Sequence, residues 1–379
     1  MNTDYREPSV IELIDRLKEI SEYNGIAFGQ QNAGHIGISI KNNDGTESDV
    51  KNLCGSHPLV VGIDTLSFYG YEGNYHDLVR IVQQLHKEGV IITLSSHMPN
   101  FSLGGDDYFD FSSKFTDGDI GHRIMPGGDL NSKYIRFLNK IAEFASDCID
   151  VHGERIPMIF RPFHEDNGNW FWWGREYLGD KDFVNLFKYT IDYLRNDCGI
   201  RSFLYCYSPN GAVSSVIDYL GRYPGDDYVD IMGLDYYDDT VGKKDKFFDE
   251  LSSSLKVVAK CARNHCKLYA LTETGVRVLD HSHDGKYYEG LAPSGNVDLK
   301  WFTELLDLIT GDPDLRGIAY ALIWANFSDT QFWAPYVKDD FRHEMVDDFL
   351  KFLNDERTIL ADSKKVVDKT LPHTYNTTC

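Results

Sequence analysis

Eight short apolar runs alternate with helical stretches along 379 residues. That alternation predicts an α/β protein, a (β/α)8 TIM barrel. Continuous apolar runs are the pattern of parallel strands covered on both faces. Eight strand–helix units are the number that closes a barrel. A doubly wound sheet rarely needs eight regular repeats, and no G-x-G-x-x-G fingerprint follows the first run, which argues against a dinucleotide-binding fold. The chain has no linker and no abrupt change of composition. Residues 1–379 are therefore expected to form one domain, with a barrel core at about 24–355, an N-terminal helix at about 9–23 and a polar C-terminal tail at about 357–379.

The elements follow in order. An amphipathic helix from about Ser9 to Tyr23 opens the chain, and the run Gly25-Ile26-Ala27-Phe28-Gly29 follows it. The second run is Leu59 to Asp64. Apolar Leu78, Ile81, Val82 and Leu85 recur at helical spacing in His76 to Lys87. The third run is Val90 to His97. A long polar loop, roughly Pro99 to Gly128, is rich in Gly, Asp and Ser and precedes a helix from Ser132 to Cys148. The fourth run is Pro157 to Phe160, the fifth Phe203 to Tyr207, and the sixth Val229 to Asp235. The seventh is Leu268 to Glu273 and the eighth Ile318 to Trp324. A helix from Glu344 to Leu353 closes the pattern, and the polar tail after Arg357 is expected to fray.

Composition narrows the partners. Lys+Arg 38 against Asp+Glu 59 gives a formal charge of −21. So acidic a surface argues against nucleic acid and anionic membranes. No stretch approaches the roughly 18 apolar residues of a membrane span. The seven cysteines are odd in number and irregularly spaced, with no C-x-x-C pair; neither a disulfide framework nor a zinc site is expected. Aromatic residues make up 13%, which suits flat-faced sugar rings as well as a large core.

In a barrel the chemistry collects at the C-terminal ends of the strands. Those ends carry Asp64, His97, His164 with Glu165, Tyr207 with Asn210, Asp235 with Tyr236 and Tyr237, Glu273, and Trp324 with Asn326. The fourth is the richest: Arg161-Pro162-Phe163-His164-Glu165-Asp166-Asn167-Gly168-Asn169-Trp170-Phe171-Trp172-Trp173-Gly174. It runs from a strand through an Asx-and-Gly turn into aromatics, like one wall of a cleft. A carboxyl beside that much apolar surface has its charged form disfavoured, which suits Glu165 to general-acid work. The plainer alternative pairs Glu165 with Arg161 or a neighbour, merely holding the loop. Glu273, in Leu271-Thr272-Glu273-Thr274-Gly275, supplies a second carboxyl across the mouth. A retaining glycosidase needs two such groups roughly 5–5.5 Å apart. Tyr236 or Tyr237 would hydrogen-bond Glu273; its plainer partner is Arg277. His97 and His164 have metal-ligand chemistry with Asp64 or Glu165, but no H-E-x-x-H spacing supports it. Asp280-His281-Ser282-His283-Asp284 reads as a solvated loop. No metal and no organic cofactor are expected.

The long fourth motif resembles the signature of glycoside hydrolase family 26, a family mostly of β-mannanases. Gly233-Leu234-Asp235-Tyr236-Tyr237, Thr272-Glu273-Thr274-Gly275 and Ile323-Trp324 are similar to its later motifs, in the same order. The resemblance implies a retaining (β/α)8 enzyme acting on β-1,4-linked mannan, galactomannan or glucomannan. It implies Glu165 as acid/base and Glu273 as nucleophile. His164 would orient the acid/base and bind substrate, Trp170 would stack on the leaving-group sugar, and Tyr237 would touch the nucleophile. Trp324 would floor the cleavage point, and His97 would bind sugar. A secreted or periplasmic protein is implied, although Met1 to Pro8 lacks the apolar region of a signal peptide. One departure is Ala325-Asn326, where some members carry a basic sugar-binding residue. Mixed-linkage glucan and β-1,3-xylan are the alternative substrates within the family. A non-catalytic sugar-binding barrel is the alternative outside catalysis, and it would not need both carboxylates.

Overall fold

The computed structural model describes residues 6–103, 113–240, 244–278, 280–281 and 287–363. Eight parallel strands form a closed barrel: β1 (Ile26–Gln31), β2 (Val60–Asp64), β3 (Ile91–Ser96), β4 (Met158–Pro162), β5 (Phe203–Tyr207), β6 (Ile231–Asp238), β7 (Leu268–Val276) and β8 (Ile318–Ile323). Each strand pairs with the next in sequence, and β8 returns to β1 through Phe28 opposite Ala321 and Gln30 opposite Ile323. The main helices are α1 (Pro8–Glu22), α2 (Tyr75–Lys87), α3 (Asn131–Asp147), α4 (Asp180–Asp192), α5 (Lys244–His265), α6 (Trp301–Gly311) and α7 (Val346–Asn354). All eight apolar runs are strands, so the predicted (β/α)8 architecture is the one observed.

Two cores follow from the alternation of side chains along each strand. One face of the strands joins the helices in an outer shell that includes Phe28, Val61, Leu94, Phe160 and Tyr205. The other face fills the barrel with Ala27, Val60, Ile91, Ile159, Leu204 and Leu322. Helix α1 belongs to this inner cluster. It starts on Pro8, whose missing N–H costs nothing in a first turn. Its Val10, Leu13, Leu17 and Ile20 recur on one face and are buried. Backbone and side-chain bonds from Glu7 to Arg201 and from Ser9 to Arg155, just before β5 and β4, place it beneath the N-terminal end of the barrel. Each of those buried side chains contributes about 2 kcal/mol, and Leu17→Ala would cost roughly 2–5 kcal/mol.

The tail differs from expectation. Thr358–Ile359 adds a short parallel strand beside the start of β1, and Ile359 and Leu360 are buried. Apolar burial holds this part in place, so it does not fray; residues 364–379 lie outside the described residues. Most of the Asp280–Asp284 segment also lies outside them. Among the described residues no helix is long and apolar enough to cross a membrane.

One irregularity matters for the site. Between β6 and β7 the register slips, with Leu234 opposite Leu271 but Asp235 opposite Glu273. The β8 edge slips at the same place, with Ala321 opposite Leu271 and Ile323 opposite Thr274. The extra residue is a β-bulge, a device that re-aims side chains. Regular alternation would send Thr272 and Glu273 to opposite faces; here both reach the same buried cluster.

Candidate active site

That cluster lies at the C-terminal mouth of the barrel, centred on Arg161 of β4. Its Nη1 donates to Asp235 Oδ2 at 2.7 Å and to Ser208 Oγ at 3.1 Å. Its Nη2 donates to Glu273 Oε1. Thr272 Oγ1 donates to the other oxygen of Asp235 at 2.5 Å. Tyr237 Oη donates to Glu273 Oε2 at 2.8 Å. Arg161, Asp235 and Glu273 are all buried, so their charges interact with little screening. Burial pulls the guanidinium pKa down, but Asp235 and Glu273 more than reverse this and hold it above its ordinary value. Burial pushes the Asp235 carboxyl up, against the pull of Arg161.

Glu165 sits one turn beyond β4 in a different setting. Its Oε1 accepts from Asn210 Nδ2 at 2.7 Å, and its Oε2 from Trp170 Nε1 at 2.6 Å. Neither donor is charged. Burial and the neighbouring Glu273 raise its pKa, and the two hydrogen bonds only partly oppose that. The backbone is strained here. Phe163 and Glu165 both have φ of 53°, a region that costs non-glycine residues about 1–3 kcal/mol and collects at functional sites. One carboxylate oxygen from each of Glu165, Asp235 and Glu273 lies within 4.8 Å of the others. Three such oxygens could grip a cation, but the Arg161 guanidinium already supplies positive charge to two of them.

Two histidines, His97 after β3 and His164 after β4, lie beside one another. His97 Nδ1 lies 2.8 Å from Asp64 Oδ2, and Ser95 Oγ donates to the same oxygen at 2.6 Å. Burial pulls the His97 pKa down; Asp64 more than reverses this, and the net direction is up. His164 packs edge-on against His97, with ring centroids 4.5 Å apart. Burial and the charges of His97 and Arg161 hold its pKa well below the ordinary value, so His164 is neutral. Trp324 is half-buried and edge-on to His97 at 6.2 Å. Trp170 remains partly exposed, whereas Trp172 and Trp173 are buried and brace the loop. Their indole N–H groups donate to the carbonyls of Met98 and His164.

A family model described as glycosyl hydrolase family 26 matches residues 7–273. The chain belongs to that family. It is 33% identical over 328 residues to a mannan endo-1,4-beta-mannosidase of Bifidobacterium adolescentis, a match covering 83% of this chain and 31% of that protein. It is 27% identical to one of Bacillus subtilis strain 168 over 201 residues, 50% of this chain and 52% of the relative. The chain thus spans about a third to a half of these relatives' lengths. Among solved structures, the catalytic domain of a Bacillus sp. JAMB-750 family 26 endo-beta-1,4-mannanase superposes with a TM-score of 0.85 at 35% identity, covering 94% of this chain and 92% of that one. A modular endo-beta-1,4-mannanase from Cellulomonas fimi gives 0.83 at 33%, covering 95% and 77%.

Against this family frame several sequence expectations change. Arg161 does not pair with Glu165; its fork is taken by Asp235 and Glu273. Arg277 does not pair with Glu273 but with Asp239 at 2.5 Å. Of the two candidate tyrosines, Tyr237 reaches Glu273, while Tyr236 donates to Glu250 at 2.6 Å. The bonds to the Glu165 carboxylate come from Asn210 and Trp170 rather than His164, whose Nδ1 is buried without a hydrogen bond among the described residues. Tyr207 and Asn326 are buried in other contacts: Tyr207 donates to the Tyr219 carbonyl, and Asn326 ties Asp49 to the segment at Trp333 and Ala334. Glu72 and Asn32 went unnoticed. Asn32 Nδ2 donates to Glu72 at 2.8 Å, and burial, with Asp64, pushes the Glu72 carboxyl up to about 7. No motif marks Glu72, because its loop must fold back after β2 to bring it near His97.

Proposed function

We propose that this protein is a retaining glycoside hydrolase cleaving β-1,4-mannosidic bonds in mannan, galactomannan or glucomannan by double displacement. The carrying observation is a pair of carboxyl groups in opposed environments. Glu165 is held by two neutral donors beside another carboxylate, which favours its protonated form. Glu273 is gripped on both oxygens, by a guanidinium and a phenol. The carboxyl without a charged partner is the acid, and the one gripped by a guanidinium and a phenol is the nucleophile. The short approach of their oxygens fits the retaining rather than the inverting spacing. The family's mannanase relatives support mannan as substrate.

Glu165 gives its proton to the glycosidic oxygen as the bond from the anomeric carbon breaks. A Glu273 oxygen bonds to that carbon, forming a glycosyl ester. Glu165, now a carboxylate, takes a proton from water. The water oxygen attacks the anomeric carbon and frees Glu273. Arg161 and Tyr237 hold the nucleophile's two oxygens. His97 and His164 would hydrogen-bond sugar hydroxyls, Trp324 would underlie the sugar at the cleavage point, and Trp170 would stack on the leaving-group side. The test is reducing-sugar release from mannan by the wild type, Glu165→Ala and Glu273→Ala. Each variant is expected to lose on the order of 10³-fold or more. Near-wild-type release by both would sink the assignment.

A further inference from the structure

The segment from Phe163 to Leu178 carries Glu165 and Trp170 and is neither helix nor strand, yet much of it is buried. Buried carbonyls in such a segment need donors from elsewhere. Arg222 supplies them: Nη1 donates to the Asp166 carbonyl, and Nη2 to the carbonyls of Leu178 at 2.8 Å and Trp173 at 3.2 Å. The Asp166 and Trp173 carbonyls bracket the stretch from Asn167 to Trp172. Within that stretch Trp170 donates to Glu165 Oε2, and Asp166 directly follows Glu165. The guanidinium is itself held. Carboxylates of Asp166 and Asp180 lie 3.5 Å away, and the Phe183 ring of α4 packs at 3.9 Å. The turn that carries Arg222 is anchored to the barrel: Tyr207 of β5 donates to the Tyr219 carbonyl at 3.1 Å, and Tyr219 Oη donates to the Gly233 carbonyl of β6 at 2.8 Å. Arg222 is fully buried and does not line the cleft beside Trp170, so it acts on the loop and not on a sugar. The φ of 53° at Phe163 and Glu165 persists only where surrounding contacts over-determine it. Arg222 is one such contact, beside the 2.8 Å bond from Glu165 N to the Ser208 carbonyl. A planar fork of five donors serves three carbonyls at once, which a lysine ammonium cannot reproduce.

We infer that Arg222 is a positioning residue for the acid, holding Glu165 and its partner Trp170 in place from behind the loop. The inference rests on the hydrolase reading above and adds to it a residue that never touches substrate. Two substrates of similar size test it. Dinitrophenyl β-mannobioside releases its phenol without a proton, whereas phenyl β-mannobioside needs one from Glu165. The ratio kcat/KM counts only the steps up to the glycosyl ester, so the later work of Glu165 as base does not enter. General-acid help is worth about 10²–10⁴-fold, and small displacements of the acid forfeit part of it. For Arg222→Met, kcat/KM on the phenyl substrate is expected to fall about tenfold more than on the dinitrophenyl one. Loss of folded protein lowers both values equally and leaves that difference untouched. Arg222→Lys keeps a charge beside Asp166 if the Met variant does not fold, and it is expected to show the same preference, because it lacks the fork. An equal fall on both substrates, or no fall on either, overturns the positioning role. A wild-type protein inert on both overturns the hydrolase reading instead.

Discussion

The Tyr237 hydroxyl donates to Glu273 Oε2 at 2.8 Å, while Arg161 occupies Oε1 of the same carboxylate. The nucleophile candidate is thus aimed by one neutral and one charged donor from two different strands. A hydrogen bond to a charged group contributes about 1.5–3 kcal/mol. Tyr237→Phe should therefore lower kcat on an aryl mannobioside by roughly 10- to 100-fold with a smaller change in KM. An unchanged kcat would mean that the phenol does not act on the reacting carboxylate.

The two roles can be told apart by stereochemistry. With the nucleophile removed in Glu273→Gly, azide can attack an activated aryl mannobioside directly from the vacated face, giving the α-mannosyl azide. With the acid/base removed in Glu165→Ala, the glycosyl ester still forms, and azide displaces it to give the β-azide. The anomeric configuration of each product by NMR is the readout. The opposite pair of products would exchange the two assignments.

The pH profile follows from what holds Glu165. Burial and Glu273 raise its pKa, while the Asn210 and Trp170 bonds oppose the rise by favouring the carboxylate. A general acid works only while protonated, so activity falls as pH rises through that pKa. Asn210→Ala removes one opposing bond. The pKa should climb further, and the alkaline limb of kcat/KM should move to higher pH. Movement to lower pH would show that Asn210 serves the protonated form.

Among the described residues, Arg161 is the one cation placed between Asp235 and Glu273. Removing one partner of a buried ion network leaves charge uncompensated, at about 3–5 kcal/mol. Arg161→Met should lower the urea midpoint and reduce activity by more than 10²-fold. Arg161→Lys should recover stability better than activity, since a point charge cannot reproduce the fork.

These residues also mark the limit of what the sequence conveys. The strands were legible because both-face burial leaves continuous apolar runs, and Glu165 and Glu273 because strand ends share one surface. The partner of Arg161 was not. It depends on cross-barrel register and on a bulge at Thr272 and Glu273 that no local pattern announces. Asn210 was visible as a strand-end residue, but its bond to Glu165 joins positions 45 apart in the chain. The packing of Ile359 and Leu360 was missed because a short apolar segment inside a polar tail has no periodicity to read.

Beside Glu165 lies a carboxyl that the proposed chemistry does not use. Asp166 is buried, and among the described residues neither of its oxygens accepts a hydrogen bond; Arg222, also buried, approaches only to 3.5 Å. Burial pushes the Asp166 pKa up to about 7, with Arg222 opposing. A carboxyl whose folded pKa lies above its unfolded value holds its proton more tightly when folded. Its contribution is greatest below the ordinary carboxylate range and is lost as pH rises toward about 7. The slope for one such group is at most about 1.4 kcal/mol per pH unit. Arg222 donates to the carbonyls of Asp166, Trp173 and Leu178, so it pins the loop that carries Trp170. Rising pH should therefore charge Asp166 and weaken the seat of that loop. Asp166→Asn cannot ionise, and its urea midpoint should change less between pH 4.5 and 7.5 than the wild type's. Parallel pH profiles for the two proteins would place the titrating group elsewhere.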